Sequence, residues 1–83
     1  MPTVPLSSLR AGAAGIVAAV RAPQLGQDPA LVLRLIEIGF LAGEPIRVIA
    51  RGQPGDEPLA VRLGHSTFAL RRFEAAFVQV ERP

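Results

Sequence analysis

The sequence contains no cysteine, lysine, tryptophan or tyrosine. Without cysteine there can be neither a disulfide nor a thiolate-held metal. Without lysine there can be no G-x-x-x-x-G-K-[ST] phosphate loop, so the chain is not itself a GTPase. The single histidine, His65, sits beside Gly64 in the short "GHS" connection. A metal site wants several such ligands, so His65 reads as a surface turn residue. No apolar run approaches the ~18 residues of a membrane span. The segment "LRAGAAGIVAAVRA" loosely mimics a secretory signal. Against that, Pro2 and Pro5 precede it, Gly12 and Gly15 interrupt it, and Arg21 stands where a cleavage site should be. The expectation is a cytoplasmic chain with no signal peptide and no membrane insertion.

What remains is 83 residues, 49% of them hydrophobic, with a net charge of +2. That length suits one small domain spanning 1–83, with a thin stability margin and a core built from aliphatics. All nine basic residues are arginine. A charge of +2 is not by itself a nucleic-acid footprint.

Turn and period signals divide the chain into short elements. "PLSSLRAG" offers Ser7 as a candidate cap for a single turn closed by Gly12. Gly15 to Ala22 is rich in small and β-branched residues and reads as a strand. "PQLGQD" is a loop. In "DPALVLRLIEIG", Asp28 is a candidate N-cap and Pro29 takes the first helical position, where its missing donor costs nothing. The helix should run over about 28–38 and stop at Gly39, with Phe40 folding back on Leu35 in a Schellman arrangement.

Strands follow. In "IRVIARG", Ile46, Val48 and Ala50 alternate with Arg47 and Arg51. After the "QPGDEP" turn, Leu59, Val61 and Leu63 point in and Arg62 out. "TFALR" places Phe68 and Leu70 on one side. "RFEAA" is a helical turn, and "FVQVE" closes the chain with Val78 and Val80 inward. About five short strands with Gly/Pro turns and one inserted helix favour a mainly β, partly open, five-stranded barrel.

Three segments, in this order, resemble the FeoA family of bacterial ferrous iron uptake. Pro5, Leu6, Leu9 and Gly12 match its P-L-x-x-L-x-x-G opening. Arg34, Leu35, Gly39, Phe40 and Gly43 match its R-L-x-x-[LM]-G-[LF]-x-x-G middle, with Ile38 where Leu or Met is usual. Ala69, Leu70, Arg71, Glu74 and Ala75 match its closing A-L-R-x-x-E-A. The resemblance covers nearly the whole chain, although the loop "RAPQLGQDPAL" is somewhat longer than usual. It implies an SH3-like barrel and an accessory role beside FeoB, a membrane iron transporter with a cytosolic GTPase domain. The same barrel looks like the C-terminal domain of iron-dependent repressors, which leaves a regulatory or nucleic-acid-binding barrel as the alternative.

No catalytic, cofactor or metal residue is expected. Asp56 and Glu57 read as solvated, and Glu74 suits an i,i+3 ion pair with Arg71. Arg47, Arg51 and Arg62 could share an outer face, with Arg71 and Arg72 nearby. Yet barrels that bind single strands stack bases on aromatics, and this chain has four phenylalanines only. Nucleic acid is therefore not expected as a partner. The helix is the better surface. It is apolar nearly all round, with Arg34 and Glu37 as its only charges, and not all of Val32, Leu33, Leu35 and Ile36 can enter so small a core. The expectation is that Leu31, Leu35, Ile38 and Phe40 border a hydrophobic groove for a segment of FeoB or a second copy of the chain. Leu35→Asp separates the two roles. It unfolds the protein if Leu35 is core, and only removes binding if Leu35 lines the groove.

Overall fold

The computed structural model describes residues 2–21, 29–52 and 55–82. Six antiparallel strands form one sheet: β1 (Thr3–Pro5), β2 (Ala14–Val20), β3 (Pro45–Arg51), β4 (Leu59–Leu63), β5 (Ser66–Leu70) and β6 (Val78–Glu81). Their order is β1-β6-β2-β3-β4-β5. Strands β2 to β5 are sequential neighbours, and β6 returns to the far side of β2. The helix α1 (Pro29–Glu37) lies between β2 and β3 in the chain, and the short α2 (Arg72–Ala75) between β5 and β6. A 3-10 turn (Leu6–Ser8) follows β1 and packs on α2, which joins the two edges of the sheet.

The barrel expected from sequence has one strand more than the five read there. The extra strand is β1, three residues long, held by pairing Thr3, Val4 and Pro5 with Glu81, Val80 and Gln79. Nothing so short carries a period of its own. The first turn also differs. Pro5, not Ser7, stands at its N-cap with no side-chain cap, and it is the Ser8 Oγ that donates to Pro5 O at 2.8 Å. Strand β2 begins at Ala14 and ends at Val20. Ala22, the loop 23–27, the proposed cap Asp28, and Gln53 and Pro54 of the turn lie outside the described residues.

Alternation puts one face of each strand into the core. Ile46, Val48, Leu59, Val61, Leu63, Leu70, Val78 and Val80 are all buried there, with Leu6, Leu9, Phe40 and Phe77. Phe40 and Phe68 rings lie 6.2 Å apart at 51°, a tilted geometry favoured by ring quadrupoles. Each fully buried aliphatic contributes about 1.5–3 kcal/mol by transfer from water. The core is packed to the backbone at Gly15. A Cβ there would lie 2.7 Å from Glu81 O and closer still to Val80 Cγ1.

A register shift in β3 redirects two side chains. Between Val48 and Ala50 the β3–β4 pairing slips by a bulge, so Val48 opposes Val61 while Ala50 opposes Ala60 and Arg51 opposes Leu59. An extra residue in one strand reverses the alternation beyond it. Ala50, expected inward, is exposed, and Arg51, expected outward, turns toward the core side. Its Nη1 donates to Leu9 O at 2.5 Å and to Ser7 O at 3.2 Å, with its side chain only 15% exposed.

Candidate partner-binding surface

The helix α1 ends as its sequence requires. Phe40 N–H donates to Leu35 O and Gly39 N–H to Ile36 O, both at 3.1 Å. That 6→1 and 5→2 pair is the Schellman motif, with Gly39 at φ +119° supplying the positive φ. The chain then turns so that Gly43 N–H donates to Val17 O and Val17 N–H to Glu44 O, each at 2.8 Å. These bonds tie the turn after α1 to β2, near which the helix packs.

This geometry sorts the four residues expected to border a groove. Leu35 and Phe40 are each 1% exposed and belong to the central core, so neither can present a side chain to a partner. Leu31 and Ile38 are half-buried on its margin. The reason is periodicity. Val32 and Leu35, three apart, define the inward stripe of α1, and Leu31 and Ile38 flank it. The apolar residues left outside are Leu33 and Ile36, at 56% and 39% exposure, followed by Leu41 at 50%. Pro29, also exposed, Leu33 and Ile36 recur at i, i+4 and i+7 and form a second apolar stripe on the solvent side of the helix.

A second apolar contribution comes from α2. Phe73 is 58% exposed. With Ala30, Leu31, Arg34 and Glu74 it lines a depression of about 260 Å³ between the two helices. Glu74 is the centre of this junction. Its Oε1 accepts from Arg71 N–H at 2.8 Å, and its Oε2 meets Arg34 Nη2 at 2.7 Å. The expected side-chain pair with Arg71 is thus replaced by a link to α1. Glu57, expected to be solvated, accepts from Arg72 N–H at 3.1 Å through Oε2. His65 is exposed in the β4–β5 turn. Phe73 and Leu41 are exposed apolar residues that the period of α1 does not point to. For Phe73 a signal exists, since residues two apart on a helical turn face nearly opposite ways, so a turn that buries Ala75 exposes Phe73.

Among the described residues, no three of His, Cys, Asp and Glu come together as a metal-ligand set. No helix among them is long and apolar enough to cross a membrane. A family model for the FeoA domain matches residues 4–82. The chain belongs to the FeoA family. No curated protein matches it. Among solved structures it is similar to FeoA of Stenotrophomonas maltophilia, with 40% identity over 98% of this chain and 91% of that one, at a TM-score of 0.80. That protein was solved with zinc and is described as a prokaryotic SH3 domain protein linked to ferrous iron transport. FeoA of Chlorobium tepidum is similar at 29% identity, over 95% of this chain and 70% of that one, at a TM-score of 0.76. A manganese-dependent transcriptional repressor shares 24% identity at a TM-score of 0.80. The match covers 99% of this chain but 42% of the repressor, and it shows the fold alone. The SH3-like barrel is therefore common to the FeoA proteins and to part of a repressor, and the FeoA family ties this chain to ferrous iron transport.

Proposed function

We propose that this FeoA-family chain is a cytoplasmic, non-catalytic accessory protein of ferrous iron uptake that binds an FeoB-type transporter. The observation that supports it is the outward stripe of α1. Leu33 and Ile36 stay exposed although the helix has already buried Val32 and Leu35. A helix with a second apolar face is an anchor for another protein surface. Leu41 extends the stripe past the cap, and half-buried Leu31 and Ile38 border it. The residues that the groove needs are thus Leu33, Ile36 and Leu41, with Leu31 and Ile38 beside them. Leu35 and Phe40 support it from within the core.

The partner contact does not require chemistry from this chain. It requires a rigid apolar edge, and the Schellman cap with the Gly43–Val17 bond supplies the rigidity. The test is an amide NMR titration of the chain with the soluble GTPase domain of its own FeoB, with GDP and then a GTP analogue. Full-length FeoB in lipid nanodiscs is the second arm. Shifts or broadening at residues 29–41, removed by Leu33→Asp with Ile36→Asp, are expected. Dependence on the nucleotide would assign a role in the GTPase cycle. A response confined to other elements, or none in either arm, overturns this reading. Self-association through the same stripe is read in parallel from the sedimentation of the chain alone.

A further inference from the structure

Charge on this chain is unevenly placed. Two neighbouring depressions open near the start of β2. One, of about 530 Å³, is lined largely by Ala14, Gly15, Ile16, Pro45 and Ile46, with Arg47, Arg62, Glu81 and Arg82. The other, of about 380 Å³, runs along residues 8–13 and shares Arg82. Together they hold four arginines, at 10, 47, 62 and 82, against one glutamate, Glu81. That is three positive charges, where the entire chain nets only +2, so the remaining residues net −1.

The two central arginines are in an arrangement that costs stability unless something answers it. Arg47 and Arg62 stand directly opposite each other in the β3–β4 register, both exposed on the outer face. Like charges so placed repel. Arg47 is aimed by a 2.6 Å bond from Nη1 to Gly12 O. Arg62 makes no side-chain hydrogen bond or ion pair among the described residues. Beside them in the same face lies Ile16, 41% exposed and paired with Pro45 and Glu81. An apolar floor with two adjacent guanidinium forks at one end matches an apolar side chain next to a carboxylate.

We propose that this basic face of the sheet binds an acidic peptide segment of a protein partner, with a carboxylate between Arg47 and Arg62 and an apolar side chain over Ile16. The site stands apart from α1 in sequence and does not depend on the transporter reading. A single-stranded nucleic acid fits it less well, because no aromatic side chain lines either depression for bases to stack on. A lipid surface fits less well too, because the basic face is interrupted by Glu81, whose carboxylate beside Ile16 would repel an anionic bilayer.

The test uses the full chain on an array of twelve-residue peptides in which aspartate and glutamate are interspersed with aliphatics, beside neutral and basic versions. Wild type is expected to select acidic peptides. The best of these should lose about tenfold or more in affinity with Arg62→Glu, and again between low and physiological salt. Arg62→Glu removes no side-chain hydrogen bond or ion pair among the described residues and sets opposite charges across the β3–β4 pair, so a urea midpoint at or above that of wild type verifies the fold. Arg47→Gln is the second variant and should weaken the same peptides. No selection of acidic peptides, or equal selection by Arg62→Glu, overturns the proposal. Tighter binding to phosphatidylglycerol vesicles or to oligo-dT than to the best peptide also overturns it, and assigns the face to a membrane or to nucleic acid.

Discussion

Arg34 on α1 and Glu74 on α2 meet at 2.7 Å between Nη2 and Oε2, across 40 residues of sequence. The contact is asymmetric. Arg34 is 64% exposed while the Glu74 side chain is 13% exposed and also accepts from Arg71 N–H. Removing Arg34 should therefore cost little, about 0–1 kcal/mol as for other solvent-exposed ion pairs. Removing Glu74 takes away the cap of α2 as well, for about 1–2 kcal/mol. Urea unfolding of Arg34→Ala and Glu74→Ala is expected to show that order. Equal losses would mean the ion pair, not the cap, holds the junction, and a larger loss for Arg34→Ala would mean that the enclosed Glu74 carboxylate is costly without its partner.

Arg51 and Arg62 present the same residue type on neighbouring strands with opposite fates. Arg51 satisfies the carbonyls of Ser7 and Leu9 from a side chain only 15% exposed, and Asp56 Oδ1 lies 3.8 Å from its Nε. Arg51→Ala should cost about 2–3 kcal/mol, since it strips charge-assisted bonds from enclosed backbone. Arg51→Lys should restore little, because an ammonium lacks the planar fork. Arg62→Ala should stay within about 0.5 kcal/mol of wild type. Thermal or chemical unfolding of the three variants decides it, and similar losses for Arg51→Ala and Arg62→Ala would contradict the bulged register.

That pair also shows where the sequence was legible. The glycine stop of α1, the alternation of Leu59, Val61 and Leu63, and the helical turn at Arg72 could be read because each rests on local chemistry. The bulge between Val48 and Ala50 could not, because a one-residue slip leaves no mark in an alternating pattern and is fixed by the partner strand. Strand β1 was hidden for a related reason, since three residues become a strand only by pairing with β6. At the candidate surface, the surplus of apolar residues on α1 was visible. Which of them faced outward was not, because the inward phase is set by where Gly39 and Phe40 anchor the helix end.

Leu33 and Leu35 differ by two positions and should differ in kind. Leu35→Asp places an unpaired carboxylate at a site 1% exposed. That costs about 4 kcal/mol or more, comparable with the whole stability of a domain this size, so circular dichroism should report an unfolded chain. Leu33→Asp lies at 56% exposure and should shift stability by no more than about 0.5 kcal/mol. Its effect should appear only in partner binding. A folded Leu35→Asp would place the helix in another rotational phase.

Gly15 tests the packing of the sheet itself. Its missing Cβ makes room for Val80 Cγ1 and for Glu81 O, which would stand at 2.7 Å. One of these neighbours is backbone held in the β2–β6 ladder, so it cannot swing aside as a side-chain terminus could. Gly15→Ala should therefore force β2 away from β6 at about 1–3 kcal/mol, as overpacking does. In a domain of this length that lowers Tm by roughly 4–8 °C per kcal/mol. Gly43→Ala is the informative comparison. No atom lies within 4 Å of its added Cβ, but its φ is +94°, so its cost is conformational and about 1 kcal/mol. Going from Ala to Val should deepen the loss at position 15, where space is the constraint, more than at position 43. If Val is no worse than Ala at position 15, the β2–β6 contact gives way readily and the close approach is not what glycine supplies there.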